Sequence, residues 1–419
     1  MEASTIVKNA YIISKWVLVS LVICIILYYF AIVIVFRVKS KFWYLQPCYH
    51  FYDFHYSFYK NQIINKELPK INSYVSFEKV ITLKPEDISN ETFQYIVDLL
   101  KKEYYHVKDG KYNPTIGTVL PYFKKNNYHS SITLAVSPTY IGGQENGNIM
   151  KYNDIVGCIM SKPLNIRFSG TSQPTYVYYV DFFCIKKEYR KLGYSEIMIQ
   201  SHEYYNRHNN KNIQIHLFKR EGDLTGIVPL VKYNTYLYPI PSIHPSRKFI
   251  YNSSDIHSTT HPVLIQLNKK NVQCLFDYMK TLELFDVLVY TGANNLIELI
   301  ETKNVFCFVL KDMDEIAACY FFRDTRMEVS GNLALSCFAT IKNDLLEQTM
   351  FMDGFLQSIN IIQKENNNLF FYLFVENISH NSFLLDEDIL GVSMSSSQTA
   401  YFLYNYISQP ITPKKMLFI

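Results

Sequence analysis

The chain has 419 residues, 48% hydrophobic and 19% charged, a balance that excludes a disordered or fibrous protein and is enough for more than one domain. Its 41 Lys and Arg against 37 Asp and Glu leave a net charge of +4, too mild to call for a nucleic-acid partner. Its 8 Cys are scattered with no CxxC pair, so no metal site or disulfide framework is expected, and a reducing compartment is.

The first predicted element is a membrane span. Residues 16–36 form a 21-residue run, from Trp16 to Phe36, without a charge. At ~1.5 Å per residue such a helix covers the ~30 Å of a bilayer core. The run ends in bulky residues, with no small-residue cleavage site of a secretory signal. Lys8 and Lys15 precede it, and Arg37, Lys39 and Lys41 follow, which places residues 37–419 on the cytosolic side of a single-pass protein. The sequons at Asn90, Asn252 and Asn377 are then unglycosylated, and Glu2 in place of Gly excludes myristoylation of the chain itself.

Further along, apolar spacing predicts an amphipathic helix over Phe93–Tyr104, strands over Ser131–Val136, Asp154–Ile166 and Thr175–Ile185, a helix over Tyr194–Arg207 and a strand over Asn212–Phe218. After a helical segment within Leu282–Leu299, the order returns. Strands are predicted over Val305–Leu310, Ile316–Phe322 and Leu333–Ala339, a helix over Leu345–Lys364, and strands over Leu369–Val375 and Tyr401–Tyr406. Two passes of β-β-β-α-β predict a duplicated α/β (α+β) domain with its junction near residues 230–255.

The sharpest local signal is Arg190-Lys191-Leu192-Gly193-Tyr194-Ser195, between a buried strand and a helix. Unpaired N–H groups at a helix start, a glycine allowing close approach and two cations suit a pyrophosphate; the plainer alternative is a strand-to-helix turn with solvated basic residues. Cys184 has no positioned His beside it and reads as a buried structural thiol.

That loop resembles the R-x-x-G-x-G/A loop of GNAT-type acyltransferases, which holds the pyrophosphate of acyl-CoA. A longer resemblance starts at Lys41-Phe42-Trp43-Tyr44-Leu45-Gln46-Pro47, similar to the K-F-W-x-T-Q-P-V segment of eukaryotic N-myristoyltransferases. Val156–Ile166 resembles V-G-F-I-S-A-I-P-x-x-I, and Val180–Arg190 resembles I-N-F-L-C-V-H-K-K-L-R. Thr235–Ile240 falls where the family has Y-Y-H-R-P-I, and Tyr401–Asn405 tracks Y-Y-L-Y-N near the end.

The resemblance implies two tandem GNAT-like halves behind the transmembrane helix. Residues 1–15 would be a short tail, 37–240 the acyl-CoA-binding half and 241–419 the peptide-binding half. Together with the span at 16–36, it implies a membrane-anchored, monomeric N-acyltransferase that moves myristate from myristoyl-CoA, a co-substrate and not a cofactor, to the N-terminal glycine of acceptor proteins. The carboxylate of Ile419 would be the base, and backbone N–H groups of Phe182 and Phe183 the oxyanion hole. Lys41, Phe42, Trp43, Arg190, Lys191, Leu192, Gly193, Tyr194 and Ser195 would hold acyl-CoA. Tyr104, Asp109, Tyr236, Ser396 and Tyr404 would meet the peptide.

The chain also departs from the pattern. Tyr104–Asp109 keeps one acidic residue of the family's acidic stretch, Val392–Ser397 stands for F-G-x-G-D-G, and Leu217-Phe218-Lys219-Arg220 lies near the position of Y-T-A-G. These departures keep two alternatives open, an inactive acyl-CoA- or peptide-binding membrane adaptor and a GNAT-type acetyltransferase.

Overall fold

The computed structural model describes residues 2–59, 61–107, 110–142, 149–171, 173–222, 226–240, 245–251, 262–313 and 315–419. Helix α1 (Glu2–Lys39) carries the apolar run in Tyr11–Lys39, and among the described residues it is the one helix whose length and composition suit a membrane. From Tyr11 on its side chains stay exposed until the last turns, where Phe36 packs 5.5 Å from the rings of His50 and Tyr52 and Tyr29 donates to the Tyr52 carbonyl. Helix α2 (Lys41–Tyr44) follows directly, and α3 (Asn90–Glu103) is capped by Ser89, whose hydroxyl accepts from the Thr92 N–H.

Strands β1 (Ser131–Gly142), β2 (Ile149–Phe168) and β3 (Thr175–Ile185) form an antiparallel meander. Helix α4 (Tyr194–Asn209) then crosses over to β4 (Ile215–Glu221), parallel to β3. After β5 (Val231–Pro239) and β6 (Val287–Tyr290), the pattern recurs: β7 (Val305–Asp312), β8 (Glu315–Val329) and β9 (Asn332–Lys342) are antiparallel, and α5 (Gln348–Glu365) leads to β10 (Phe370–Glu376), parallel to β9. Strands β11 (Ser395–Tyr404) and β12 (Met416–Phe418) complete the main sheet, whose 17 strands among the described residues run as one.

The halves are joined by exchange of strands. Strand β5 pairs with β10 of the second repeat, β11 bridges β4 and β5, and β6 pairs with β2 of the first repeat. The segment near 230–255 expected as a junction therefore begins with a strand of the sheet, Val231–Pro239. The helices supply the core. On α5, Phe351, Phe355, Ile359 and Ile362 are buried against Tyr320 and Phe322 of β8, each contributing about 1.5–3 kcal/mol of apolar burial.

Candidate active site

Both repeats carry a bulge on the third strand. Between β2 and β3 the register passes from Cys158↔Cys184 to Met160↔Asp181, so Phe182 and Phe183 stand opposite Ile159 alone. Between β8 and β9 it passes from Phe321↔Ala339 to Phe322↔Cys337, leaving Phe338 as the extra residue. A bulge takes backbone groups out of the ladder and sharpens the twist. Phe182 and Phe338 line the same small cavity of about 60 Å³.

Phe182 adopts φ 51°, a left-handed conformation that costs an L-residue about 1–2 kcal/mol. Its buried ring packs 5.4 Å from Tyr104, 6.3 Å from Tyr112 and 5.9 Å from Phe123, contacts that offset the strain. The Phe182 N–H donates to Asp181 Oδ1 at 2.8 Å, and the Tyr104 hydroxyl donates to the same oxygen at 2.8 Å. An oxyanion at Phe182 must therefore displace a carboxylate. Phe183 is half-exposed beside it. Cys184 is buried with its sulfur 3.6 Å from that of Cys158, a packing position as expected.

Ile419 also lines the cavity. Its N–H donates to the Val289 carbonyl at 2.8 Å, and its oxygen accepts from the Thr291 N–H at 3.1 Å, because the parallel pairing of β12 with β6 carries the chain end inward. Lys162 on β2 lies among these groups, only 9% exposed, with Nζ 4.8 Å from the Tyr122 ring centroid. Burial pushes the Lys162 ammonium down to about 8; Asp181 opposes the shift and Arg323 adds to it.

A wider cleft of about 390 Å³ adjoins the cavity and shares Tyr122, Tyr179, Asp181, Phe182 and Arg323 with it. On its floor Glu376 is paired with Lys219 at 3.1 Å and with Arg323, and it accepts from the Tyr233 hydroxyl at 2.7 Å. Burial alone would raise the Glu376 carboxyl, but the two cations and the hydroxyl hold it down at about 2.

The expected peptide residues divide. Tyr104 lines the cleft. Tyr236 and Ser396 face each other across β5 and β11, but the cleft is lined by their neighbours Thr235 and Ser397, since adjacent strand residues point to opposite faces. Tyr404 does not line the cleft: it is buried and donates to Gln46 Oε1 at 2.7 Å, pinning the segment after α2. Asp109 lies outside the described residues.

Of the expected acyl-CoA residues, Lys191 and Gly193 have φ 65° and 82°, and Gly193 caps α4, where Tyr194 and Ser195 open the helix. A Cβ at Gly193 would touch nothing, so the glycine is there for its backbone conformation and the loop is open outward. Leu192 is exposed. Arg190 is held internally: its Nε donates to the Ile185 carbonyl at 3.0 Å and its Nη2 to Glu103 Oε2 at 2.9 Å, tying β3 to α3. Lys41, Phe42 and Trp43 form α2, with Phe42 buried against Tyr74 and Trp43 stacked on Phe218 at 6.0 Å.

Sequence reasoning missed Lys162, Tyr122, Arg323 and Glu376. Lys162 had a signal: it is the one charge in Val156–Ile166, an otherwise uncharged stretch predicted to be a buried strand.

No protein-family model matches the sequence, and comparison with curated proteins gives no match. The solved structures do. A Saccharomyces cerevisiae N-myristoyltransferase with bound myristoyl-CoA is similar at 14% identity over 89% of this chain and 94% of that one, with a TM-score of 0.64. Another structure of that enzyme, with bound myristoyl-CoA and inhibitors, matches at 13% identity over 92% and 96%, again with a TM-score of 0.64. The chain has the N-myristoyltransferase fold. Within that fold the two bulges, the chain end at Ile419 and Lys162 meet at one cavity.

Proposed function

We propose that the protein is an N-acyltransferase that moves a myristoyl group from myristoyl-CoA to the N-terminal glycine of acceptor proteins, at a membrane in which α1 is embedded. The observation that carries this reading is the meeting of the Phe182 bulge and Ile419 in one cavity of an N-myristoyltransferase fold. The acyl-CoA enters over the first repeat, its pyrophosphate against the N-terminus of α4 at Gly193-Tyr194-Ser195 and its thioester carbonyl at the N–H groups of Phe182 and Phe183. The acceptor lies in the adjoining cleft by Tyr104, Thr235 and Ser397, with its ammonium against the carboxylate of Ile419. The amine attacks the thioester directly, and CoA leaves as the thiol.

The basic flank Arg37-Val38-Lys39-Ser40-Lys41 supports a cytosolic site, the side on which acyl-CoA and new N-termini are found. A single myristoyl chain binds bilayers only marginally, so a tethered enzyme releases its product beside the surface it must occupy. The test is thiol release from myristoyl-CoA by the full chain in detergent, with glycine-initiated peptides and with a variant extended by a few residues past Ile419. Peptide-dependent release that the extension abolishes is the expected result. Binding of myristoyl-CoA without acylation of any peptide would replace this reading by that of an adaptor, with Asp181 blocking the Phe182 N–H as the cause.

A further inference from the structure

Helix α1 meets the folded domain further up its length than a tether needs. Tyr29, Ile32, Val33 and Phe36 are half-buried and share one face of the helix, at i, i+3, i+4 and i+7. They pack on residues 49–59: the Tyr29 hydroxyl donates to the Tyr52 carbonyl at 3.2 Å, the Tyr29 ring lies 5.4 Å from that of Phe54, and the Phe36 ring lies 6.0 Å from that of Phe51. Tyr29 is two turns, about 10 Å, back from the end of the apolar run. With residues 16–36 filling the hydrocarbon core, Phe54 is held at or below the level of the headgroups.

The segment is built for that depth. Phe54–Phe58 is a short 3₁₀ turn on which Phe58 is 88% exposed, with Phe51, Phe54 and Tyr59 exposed beside it. Asp53, the one formal charge in residues 49–59, is turned onto His50: its Oδ2 accepts from the His50 N–H at 2.9 Å and lies 3.2 Å from Nδ1. The segment is also fixed to the domain. The Phe51 N–H donates to the Gly226 carbonyl at 3.1 Å, the Val228 N–H to the Tyr49 carbonyl at 2.7 Å, and Gln409 Nε2 to the Tyr56 carbonyl at 3.0 Å. A rigid knob of exposed aromatic rings with its charge paired inward suits the boundary between headgroups and acyl chains.

We propose that the turn at residues 51–59 is a second membrane contact, inserted into that boundary beside the end of α1. It rests on the embedding of α1 in the reading above and goes beyond it, because a helix alone leaves a domain free to swing, whereas two contacts fix its tilt. His50 links the contact to α2, with Nε2 2.9 Å from the Trp43 carbonyl, so the stretch expected to meet acyl-CoA is held directly behind the membrane face.

The test uses the full chain in phosphatidylcholine vesicles, with the photo-crosslinker p-benzoylphenylalanine placed singly at Phe54, Phe58, Leu21 in mid-span, and Phe371, an exposed aromatic of the second repeat. All four side chains are exposed, so the substitutions leave the fold intact. Lipid adducts read by mass should form at Phe54 and Phe58 about tenfold above Phe371, as they do at Leu21. Adducts at Leu21 with none at Phe54 or Phe58 overturn the proposal and leave the anchor standing. Cross-links from Phe58 to a second copy of the chain in place of lipid overturn it as well. Absence of lipid adducts at all four positions would count against the embedding of α1 itself.

Discussion

Glu376 is the most constrained charge of the cleft, only 4% exposed and shared among Lys219, Arg323 and Tyr233. Replacing it by Gln leaves two cations facing a buried amide, and removing one partner of a buried ion pair costs about 3–5 kcal/mol. Urea unfolding of Glu376→Gln should show a loss of that size near neutral pH. The folded carboxyl sits at about 2, below its ordinary value of 4.5, so the unfolded chain binds more protons between the two. The stabilisation is therefore complete above about pH 4.5 and drains away as pH falls toward 2. The gap between wild type and Glu376→Gln should narrow over that window. A gap that stays constant down to about pH 3 would show that the pairing does not set the stability.

At the scale of elements, the bulges do what regular strands cannot, and the close approach of β2 to β3 maintains the first of them. A Cβ on Gly157 would meet the Cys184 carbonyl oxygen at 2.9 Å and Met198 Sδ at 3.1 Å. The backbone oxygen has little room to retreat, so Gly157→Ala should force the strands apart beside Phe182 at a cost of about 1–3 kcal/mol. Thermal unfolding reads the cost, and peptide acylation should fall further than the unfolding of the population accounts for. Equal activity at lower stability would show that the Phe182 geometry tolerates strand movement.

The repeated order of strands and helices was legible because period-2 and period-3.6 burial is written locally: Thr175–Ile185 is predicted and observed over the same residues, and the Leu345–Lys364 helix is observed as Gln348–Glu365. Strand β8 was predicted to stop at Phe322 yet runs to Val329, through Arg323-Asp324-Thr325-Arg326. Charges that would end a strand in water continue this one because Glu376 answers Arg323, and the Arg326 N–H donates to Asp324. Strand β6 lies inside the stretch expected to contain a helical segment, which is observed as Ala293–Glu301; four strand residues are too short for their period to show beside that helix.

At the scale of the whole molecule, α1 exposes Trp16, Leu18, Leu27 and Phe30 by more than half, a surface that water does not tolerate on a free helix. The full chain should stay with membranes through an alkaline wash and leave them in detergent. An arginine at Val22, mid-run, adds about 2.5–3.5 kcal/mol to insertion and should release a measurable fraction. Phe36 belongs to the folded domain as well as to the helix, since a side chain on Gly226 would collide with its ring. A chain starting at residue 40 should accordingly melt lower than one starting at residue 34.

Local features were readable in the residues alone: the apolar run of α1, the doubled succession of strands and helices, and the glycine turn ahead of α4. Each depends on neighbours a few residues apart, where periodicity and backbone preference act. The tertiary structure decided what depends on distant partners. Strand exchange placed Thr235 and Ser397 in the cleft in place of Tyr236 and Ser396, a difference of one residue and therefore of one face. Parallel pairing of residues 416–418 with 287–289 carried Ile419 to the cavity, and burial there lowered the basicity of the Lys162 amine. A charge's chemistry is set by what surrounds it, and for Lys162 those groups come from four separate stretches of the chain.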